Sequence, residues 1–320
     1  MKMLLPPCFL VIFSMLIVTI NCYKGFTVSG RDIIDPNGKV FMMRGINHGH
    51  AWFKDDIESA IASIAATGAN IIRIVLANGK KWAKDEPESV RKMISLCESH
   101  KLIVMFDVHD ATGSDNLQDL KDAIAYWKEL KDIIVGKEDQ VIINIANEWY
   151  GSWDSSGWAE GNKYAVQELR NFGFEHLIVV DAAGYGQYPQ SIFEKGNEVF
   201  QADRLARTVL SIHMYEYAGG DSANIKSNID KSLQMSFPVI LGEFGDRLPQ
   251  EKPTDVSTIL SYAQEKKMGW IAWSWYGNSG TDVALDMTNG PSGGYTLTAF
   301  GDQVVNQANG IRQTSVKPIN

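Results

Sequence analysis

At 320 residues, 45% of them hydrophobic and 10% aromatic, the chain is long enough for one large globular domain and too rich in core-forming side chains for a disordered one. Its 30 basic and 38 acidic residues leave a formal charge of -8, which argues against nucleic acid as a partner and suits a neutral one. Three cysteines, Cys8, Cys22 and Cys97, are too few for a disulfide-stapled scaffold, and Cys97 falls within a helical pattern as a small core residue.

In chain order, Lys2 opens an almost wholly apolar stretch at 4–20 that ends at Asn21-Cys22. This reads as a secretory signal peptide over 1–22, with an uncleaved membrane anchor as the alternative. The remainder, 23–320, carries no linker, low-complexity tract or sequence repeat and reads as one domain. It begins with a hairpin whose arms, 26–28 and 40–41, flank the turn Asp35-Pro36-Asn37-Gly38. Eight strand-like apolar runs are expected at 40–46, 70–76, 102–108, 141–146, 177–180, 209–214, 238–241 and 270–275. Amphipathic, helix-like stretches lie between them, among them 56–67, 87–100, 117–135, 157–172, 222–236 and 255–267. A last helix is expected at 298–309, then an irregular tail.

Alternating strand and helix signals imply parallel pairing through crossover helices. Eight such units fit an α/β fold of the (β/α)8 TIM-barrel type, with the hairpin capping the barrel floor. An open doubly wound sheet has a similar signal, but Gly184-Tyr185-Gly186 lacks the third glycine and the helix start of a dinucleotide loop.

Two glutamates, Glu148 and Glu243, each end an apolar run and each precede an aromatic residue. A carboxylate is costly at the end of a buried strand unless it is paired or used. Two of them suggest a pair of acids converging on one site, the requirement of glycosidic bond hydrolysis. The other strand ends supply His48, Trp52, Arg73, His109, Asp110, Asn147, His213, Tyr215, Trp273 and Trp275, site-type residues at one geometric level of a barrel.

These residues stand in IIRIVL around Arg73, FDVHDATG around His109, IANEW at 145–149, SIHMYEYAG at 211–219, ILGEFG at 240–245 and WIAWSWYGN at 270–278. In this order and spacing the chain resembles glycoside hydrolase family 5, a family of retaining (β/α)8 glycosidases, over nearly all of 23–320. RGINHGHAWF at 44–53 and NEWYGSWDSSGW at 147–158 look most like its bacterial-type endo-β-1,4-mannanases.

The resemblance implies a secreted enzyme that hydrolyses internal β-1,4-mannosidic bonds of mannan, glucomannan and galactomannan through a covalent glycosyl-enzyme. Glu148 would be the general acid and then the base, protonated in the free enzyme; Glu243 would be the ionised nucleophile. Arg73 and Tyr215 would hold Glu243, Asn147 would bond the sugar 2-hydroxyl, and His109 and His213 would orient carboxylates and sugar hydroxyls. Trp273 would form the floor under the cleaved sugar, with Trp52, Trp149 and Trp275 lining the groove. Trp82, Trp153 and Trp158 could do the same, core filling being the alternative for each groove tryptophan, whereas Trp127 and Trp270 read as core. The carboxyls of Glu148 and Glu243 are expected about 5–5.5 Å apart.

No cofactor or metal is required by this chemistry. Metal ligation remains the alternative for His109, His213 and the His48-Gly49-His50 pair. The expected partner is a mannan-type polysaccharide, without nucleic acid or membrane, and the expected state is a monomer. A β-1,4-glucanase with the same machinery, and a non-catalytic carbohydrate-binding barrel, stand as the other readings.

Overall fold

Parallel strands that read as continuous apolar runs must be covered on both faces, and a closed barrel with an outer ring of helices achieves this. The computed structural model describes residues 23–246 and 253–317; the expected signal peptide lies outside the described residues. A small antiparallel sheet of β1 (Thr27–Ser29) and β2 (Asp32–Ile34) comes first. Eight parallel strands then close into a barrel: β3 (Arg44–His48), β4 (Ile71–Leu76), β5 (Ile103–Val108), β6 (Val141–Asn144), β7 (Ile178–Asp181), β8 (Thr208–Met214), β9 (Val239–Phe244) and β10 (Trp270–Ala272). Closure is made by β10, which pairs with β9 and, through Trp270↔Arg44 to Ala272↔Ile46, with β3. The expected TIM barrel is therefore present, and an open sheet is excluded.

The helices are α1 (Ile57–Ala66), α2 (Pro87–Ser99), α3 (Leu117–Glu129), α4 (Lys131–Ile134), α5 (Ser155–Asn171), α6 (Pro189–Gln201), α7 (Ser222–Ser232), α8 (Val256–Glu265), α9 (Ala299–Val305) and α10 (Ile311–Thr314). Their starts follow from sequence. The side chains of Asn116, Asp154, Asp221 and Asp255 accept the free backbone N–H groups of α3, α5, α7 and α8, while α2 and α6 open on a proline that lacks one. None of the helices among the described residues is long and apolar enough to cross a membrane.

Several expectations need correction. The partner of β1 is β2, not 40–41, because Gly30 at φ +60° closes a tight turn one strand earlier. The turn at Asp35-Gly38 forms as well, with Asp35 Oδ1 accepting the Asn37 and Lys39 N–H groups, and it brings Val40 into a single bridge with Ile34. The stretch 117–135 divides at Leu130 into α3 and α4. The last long helix stops at Val305, and α10 forms in the tail expected to be irregular, where Thr314 Oγ1 accepts a hydrogen bond from the buried Arg44.

Inside the barrel the lower layer is apolar. Phe26, Ile33, Phe41 and Met43 pack with the inward residues Ile71, Ile103, Met105, Ile142, Val179 and Ile271, so the hairpin does seal the floor. The upper layer is polar and carries the site. Strand ends expose carbonyls that lack ladder partners, and buried tryptophans satisfy two of them. Trp127 of α3 donates to Ile145 O and Trp158 of α5 donates to Asp181 O, each at 2.7 Å. Trp127→Phe would leave the first carbonyl buried and unpaired; we expect a loss of about 1–3 kcal/mol in urea unfolding. A change below a few tenths would mean that another donor replaces the indole.

Candidate active site

Arg73, inward on β4 and 1% exposed, organises the upper layer. Its Nη1 donates to Glu243 Oε1 and Asn47 Oδ1, both at 2.9 Å. Nη2 donates to Asn147 Oδ1 at 2.6 Å and Asn144 Oδ1 at 2.8 Å, and Nε also reaches Asn144 Oδ1 at 3.1 Å. Asp107 Oδ1 lies 3.5 Å and Asp181 Oδ2 3.9 Å away. Burial works against the guanidinium charge, but the carboxylates of Asp107, Glu243 and Asp181 overcome it and hold Arg73 firmly protonated.

Glu243, 4% exposed on β9, also accepts a hydrogen bond from the Tyr215 hydroxyl on Oε2 at 2.9 Å. Its place results from a β-bulge: β8 and β9 pair Ile212 with Leu241 and then His213 with Glu243, skipping Gly242. A Cβ at Gly242 would lie 2.2 Å from Ser211 Oγ, so any larger residue would force that side chain to move. Burial pushes the Glu243 carboxyl above its ordinary value, against the opposing pull of His213 and Arg73.

Glu148 follows β6 in a left-handed backbone conformation, φ +46°. Its N–H donates to Asp181 Oδ2 at 3.0 Å, and its carbonyl accepts from Gly113 N at 3.1 Å. His213 Nδ1 lies 2.7 Å from Glu148 Oε1 and 3.5 Å from Glu243 Oε2. Burial opposes a charge on His213, yet Glu243 and Asp181 raise it well above its ordinary value. A Glu148 oxygen and a Glu243 oxygen lie within 4.8 Å of one another.

His109 Nδ1 meets Asp107 Oδ2 at 2.7 Å, and its Nε2 lies 3.3 Å from Asn147 Nδ2. The His109 ring stacks on Trp273, centroids 5.6 Å apart, and Trp52 meets both rings edge-on. Trp52, His109, Trp273 and Asn278 line one hollow. Glu148, Trp153, Tyr185, Tyr215 and Tyr217 line another. The cleft thus offers aromatic walls beside the two carboxyls.

The structure brings Arg73, His109, Asn147, Glu148, His213, Tyr215, Glu243, Trp273 and Trp52 to this cleft. It does not bring Trp149 or Trp275. Trp149 is 3% exposed and donates to Asn116 O; Trp275 is 2% exposed and donates to Ser63 Oγ. Both belong to the core, because β6 and β10 have already ended, at Asn144 and Ala272, and strand alternation no longer decides where they point. Trp158, Trp127 and Trp270 are core as well, Trp153 is half exposed beside Tyr217, and Trp82 packs on Trp52. His48 is buried on β3, and His50 lies 3.1 Å from Asp85 Oδ1, apart from the Arg73 cluster. Asn47, Asp107, Asn144 and Asp181 were missed. Each is a polar residue in an apolar strand at the inward register, a signal present in the sequence.

Glu148, His213 and Glu243 are, among the described residues, a group close enough to share a metal ion. Arg73 and Tyr215 already donate to Glu243, and the Arg73 guanidinium sets a positive charge against any cation placed there.

The family described as Cellulase (glycosyl hydrolase family 5) matches residues 34–279. The chain is 51% identical over 291 residues to the mannan endo-1,4-beta-mannosidase of Salipaludibacillus agaradhaerens, covering 91% of this chain and 94% of that protein. Among solved structures it is similar to the mannanase catalytic domain of Streptomyces sp. SirexAA-E, with TM-score 0.87, 34% identity and coverage of 96% and 98% of the two chains. It is also similar to the mannohexaose complex of the Thermomonospora fusca beta-mannanase, with TM-score 0.85, 37% identity and coverage of 92% and 98%.

The Arg73 cluster predicts a pH-dependent stability. Burial alone opposes the Asp181 charge, and His213, Arg73 and the Glu148 N–H together hold that carboxyl below the usual range. In Arg73→Met, Asp181 and Glu243 lose a compensating charge, so their folded-state pKa values rise. Such groups favour folding at low pH and cease to as pH rises through the folded value. The variant should be about 3–5 kcal/mol less stable than wild type at neutral pH and closer to it near pH 4 in urea unfolding. An equal deficit at both pH values would place the cost in packing.

Proposed function

The chain belongs to glycosyl hydrolase family 5, and we propose that it is an endo-acting retaining mannanase of mannan, glucomannan and galactomannan that acts as a monomer and is secreted through the apolar N-terminal stretch at 4–20. The observation that supports the mechanism is that one oxygen of each carboxyl lies within 4.8 Å of the other, one carboxyl held by Arg73 and Tyr215 and the other by His213. That spacing suits a direct attack on the sugar. An inverting pair needs about 6.5–9.5 Å to admit a water.

In the first step a Glu243 oxygen attacks the anomeric carbon. The glycosidic C–O bond breaks, and Glu148 gives its proton to the departing oxygen. Arg73 and Tyr215 each occupy one lone pair of the Glu243 carboxylate and leave others free to attack. In the second step Glu148, now an anion, takes a proton from water; the water oxygen bonds the anomeric carbon and Glu243 departs as the carboxylate. Asn147, held by Arg73 and Thr112, bonds the sugar 2-hydroxyl in this reading. Trp273 supplies an apolar face beneath the sugar ring and Trp52 extends it.

Mannan is favoured over glucan by the relatives' names and by the two loops that carry the resemblance. A β-1,4-glucanase would use the same residues and differ only in the C2 hydroxyl it accepts. Reducing-sugar release from glucomannan, galactomannan and carboxymethyl-cellulose, measured side by side, separates the two. We expect release from both mannans and little from carboxymethyl-cellulose; the reverse order would make the protein a glucanase.

The two glutamates separate by leaving group. Glu243→Ala should lose hydrolysis of every glycoside. Glu148→Ala should still release a burst of phenol from a dinitrophenyl β-mannobioside, whose leaving group needs little protonation, and then turn over slowly. Azide should speed the slow phase and yield a β-glycosyl azide. A burst from the Glu243 variant and none from the Glu148 variant would exchange the roles.

A further inference from the structure

One buried carboxylate that the proposed reaction leaves without a role holds Glu148 twice. Asp181 ends β7 and is 3% exposed. Its Oδ2 accepts the Glu148 N–H at 3.0 Å, and its Oδ1 lies 3.3 Å from His213 Nε2, an ion-pair contact without hydrogen-bond alignment. The opposite nitrogen of the same ring, Nδ1, is 2.7 Å from Glu148 Oε1. One path therefore runs from Asp181 to the backbone of Glu148 and another, through His213, to its carboxyl. The first supports a left-handed conformation that costs a non-glycine residue about 1–2 kcal/mol.

The second path fixes hydrogens. An ionised carboxylate only accepts, so His213 Nε2 facing Asp181 carries a hydrogen. The charged groups facing His213 are Glu148 from the loop after β6, Asp181 from β7 and Glu243 from β9, with Arg73 from β4 behind the two latter carboxylates. Among three carboxyl groups the ring is held as the cation. Nδ1 therefore also carries a hydrogen, and it points at Glu148 Oε1. A protonated Glu148 must then carry its own hydrogen on Oε2. Gly186 keeps the ring in place: its carbonyl accepts the His213 backbone N–H at 2.9 Å, and a Cβ on it would fall 2.5 Å from the imidazole.

We propose that Asp181 is a positioning residue for the acid/base: by accepting the Glu148 N–H and setting its charge against His213 Nε2–H, it keeps Nδ1–H on Oε1 and directs the acid proton to Oε2, toward the departing glycosidic oxygen. The inference rests on the roles assigned to Glu148 and Glu243 above.

The test compares leaving groups. Asp181→Asn should lower kcat on mannohexaose about 10- to 100-fold, a part of the 10²–10⁴ that acid–base catalysis contributes, with KM within about twofold. The phenol burst from dinitrophenyl β-mannobioside should fall less than about threefold, because that step needs little proton donation. In a Glu148→Ala background the same substitution should leave the burst unchanged. Equal losses on both substrates, no loss on either, or a further loss in the Glu148→Ala background would overturn the proposal. If Asp181→Asn does not fold, nitrogen-15 spectra of the wild-type protein decide. Both ring nitrogens of His213 should stay protonated through neutral pH, and a ring that titrates near the ordinary value of about 6.5 would overturn it. Failure of the functional reading is distinguishable: Glu148→Ala itself would then show no dependence on leaving group.

Discussion

A single buried guanidinium sets the terms for the upper half of the barrel. Arg73 cannot shed its charge, and a buried charge without partners is prohibitively costly. The chain therefore surrounds it with the amide oxygens of Asn47, Asn144 and Asn147 and the carboxylates of Asp107, Asp181 and Glu243. These partners come from β3, β5, β6, β7, β9 and the loop after β6. Most strands thus contribute one inward polar residue at the same height, and those residues are held at fixed distances from one another. The parts of the cleft are tied to one another through this one donor.

The division of the barrel into a dry floor and a polar upper layer follows. Below Arg73 the inward positions are isoleucine, valine and methionine, closed off by Phe26, Ile33 and Phe41 of the hairpin side. Charge is concentrated where low dielectric strengthens each interaction, with two cations, Arg73 and His213, among the acids. The two glutamates stand in different surroundings there, Glu243 against the Arg73 guanidinium and the Tyr215 hydroxyl and Glu148 against the His213 ring.

The loops add what strands cannot. The left-handed backbone at Glu148 turns its carboxyl toward His213 while sending Trp149 into the core beside α5. The bulge at Ile212–His213 brings Glu243 level with His213, a register that an unbroken ladder would not give. Tryptophans also serve the barrel from outside: the indoles of Trp127 and Trp158 complete hydrogen bonds at the ends of β6 and β7, next to the residues that form the site.

The sequence by itself determined eight strand–helix units with parallel pairing, because apolar runs alternating with amphipathic stretches must be covered on both faces; that β10 closes on β3 to make a barrel was decided by the tertiary structure. It also marked Arg73, His109, Asn147, Glu148, His213, Tyr215, Glu243 and Trp273, since polar residues that end apolar strands collect at one rim of a barrel. Tertiary structure alone decided the rest. Whether Trp52, Trp149 or Trp275 faces the cleft depends on backbone turns after the strands end, where the period-two rule no longer holds. The hairpin partner depended on the turn at Gly30, which pairs β1 with β2 before the chain reaches 40–41. Asn47, Asp107, Asn144 and Asp181 look in sequence like stray polar residues in apolar strands. Their purpose appears only when the closed barrel sets them around one charge, because a buried ion's partners are chosen by distance in space and not along the chain.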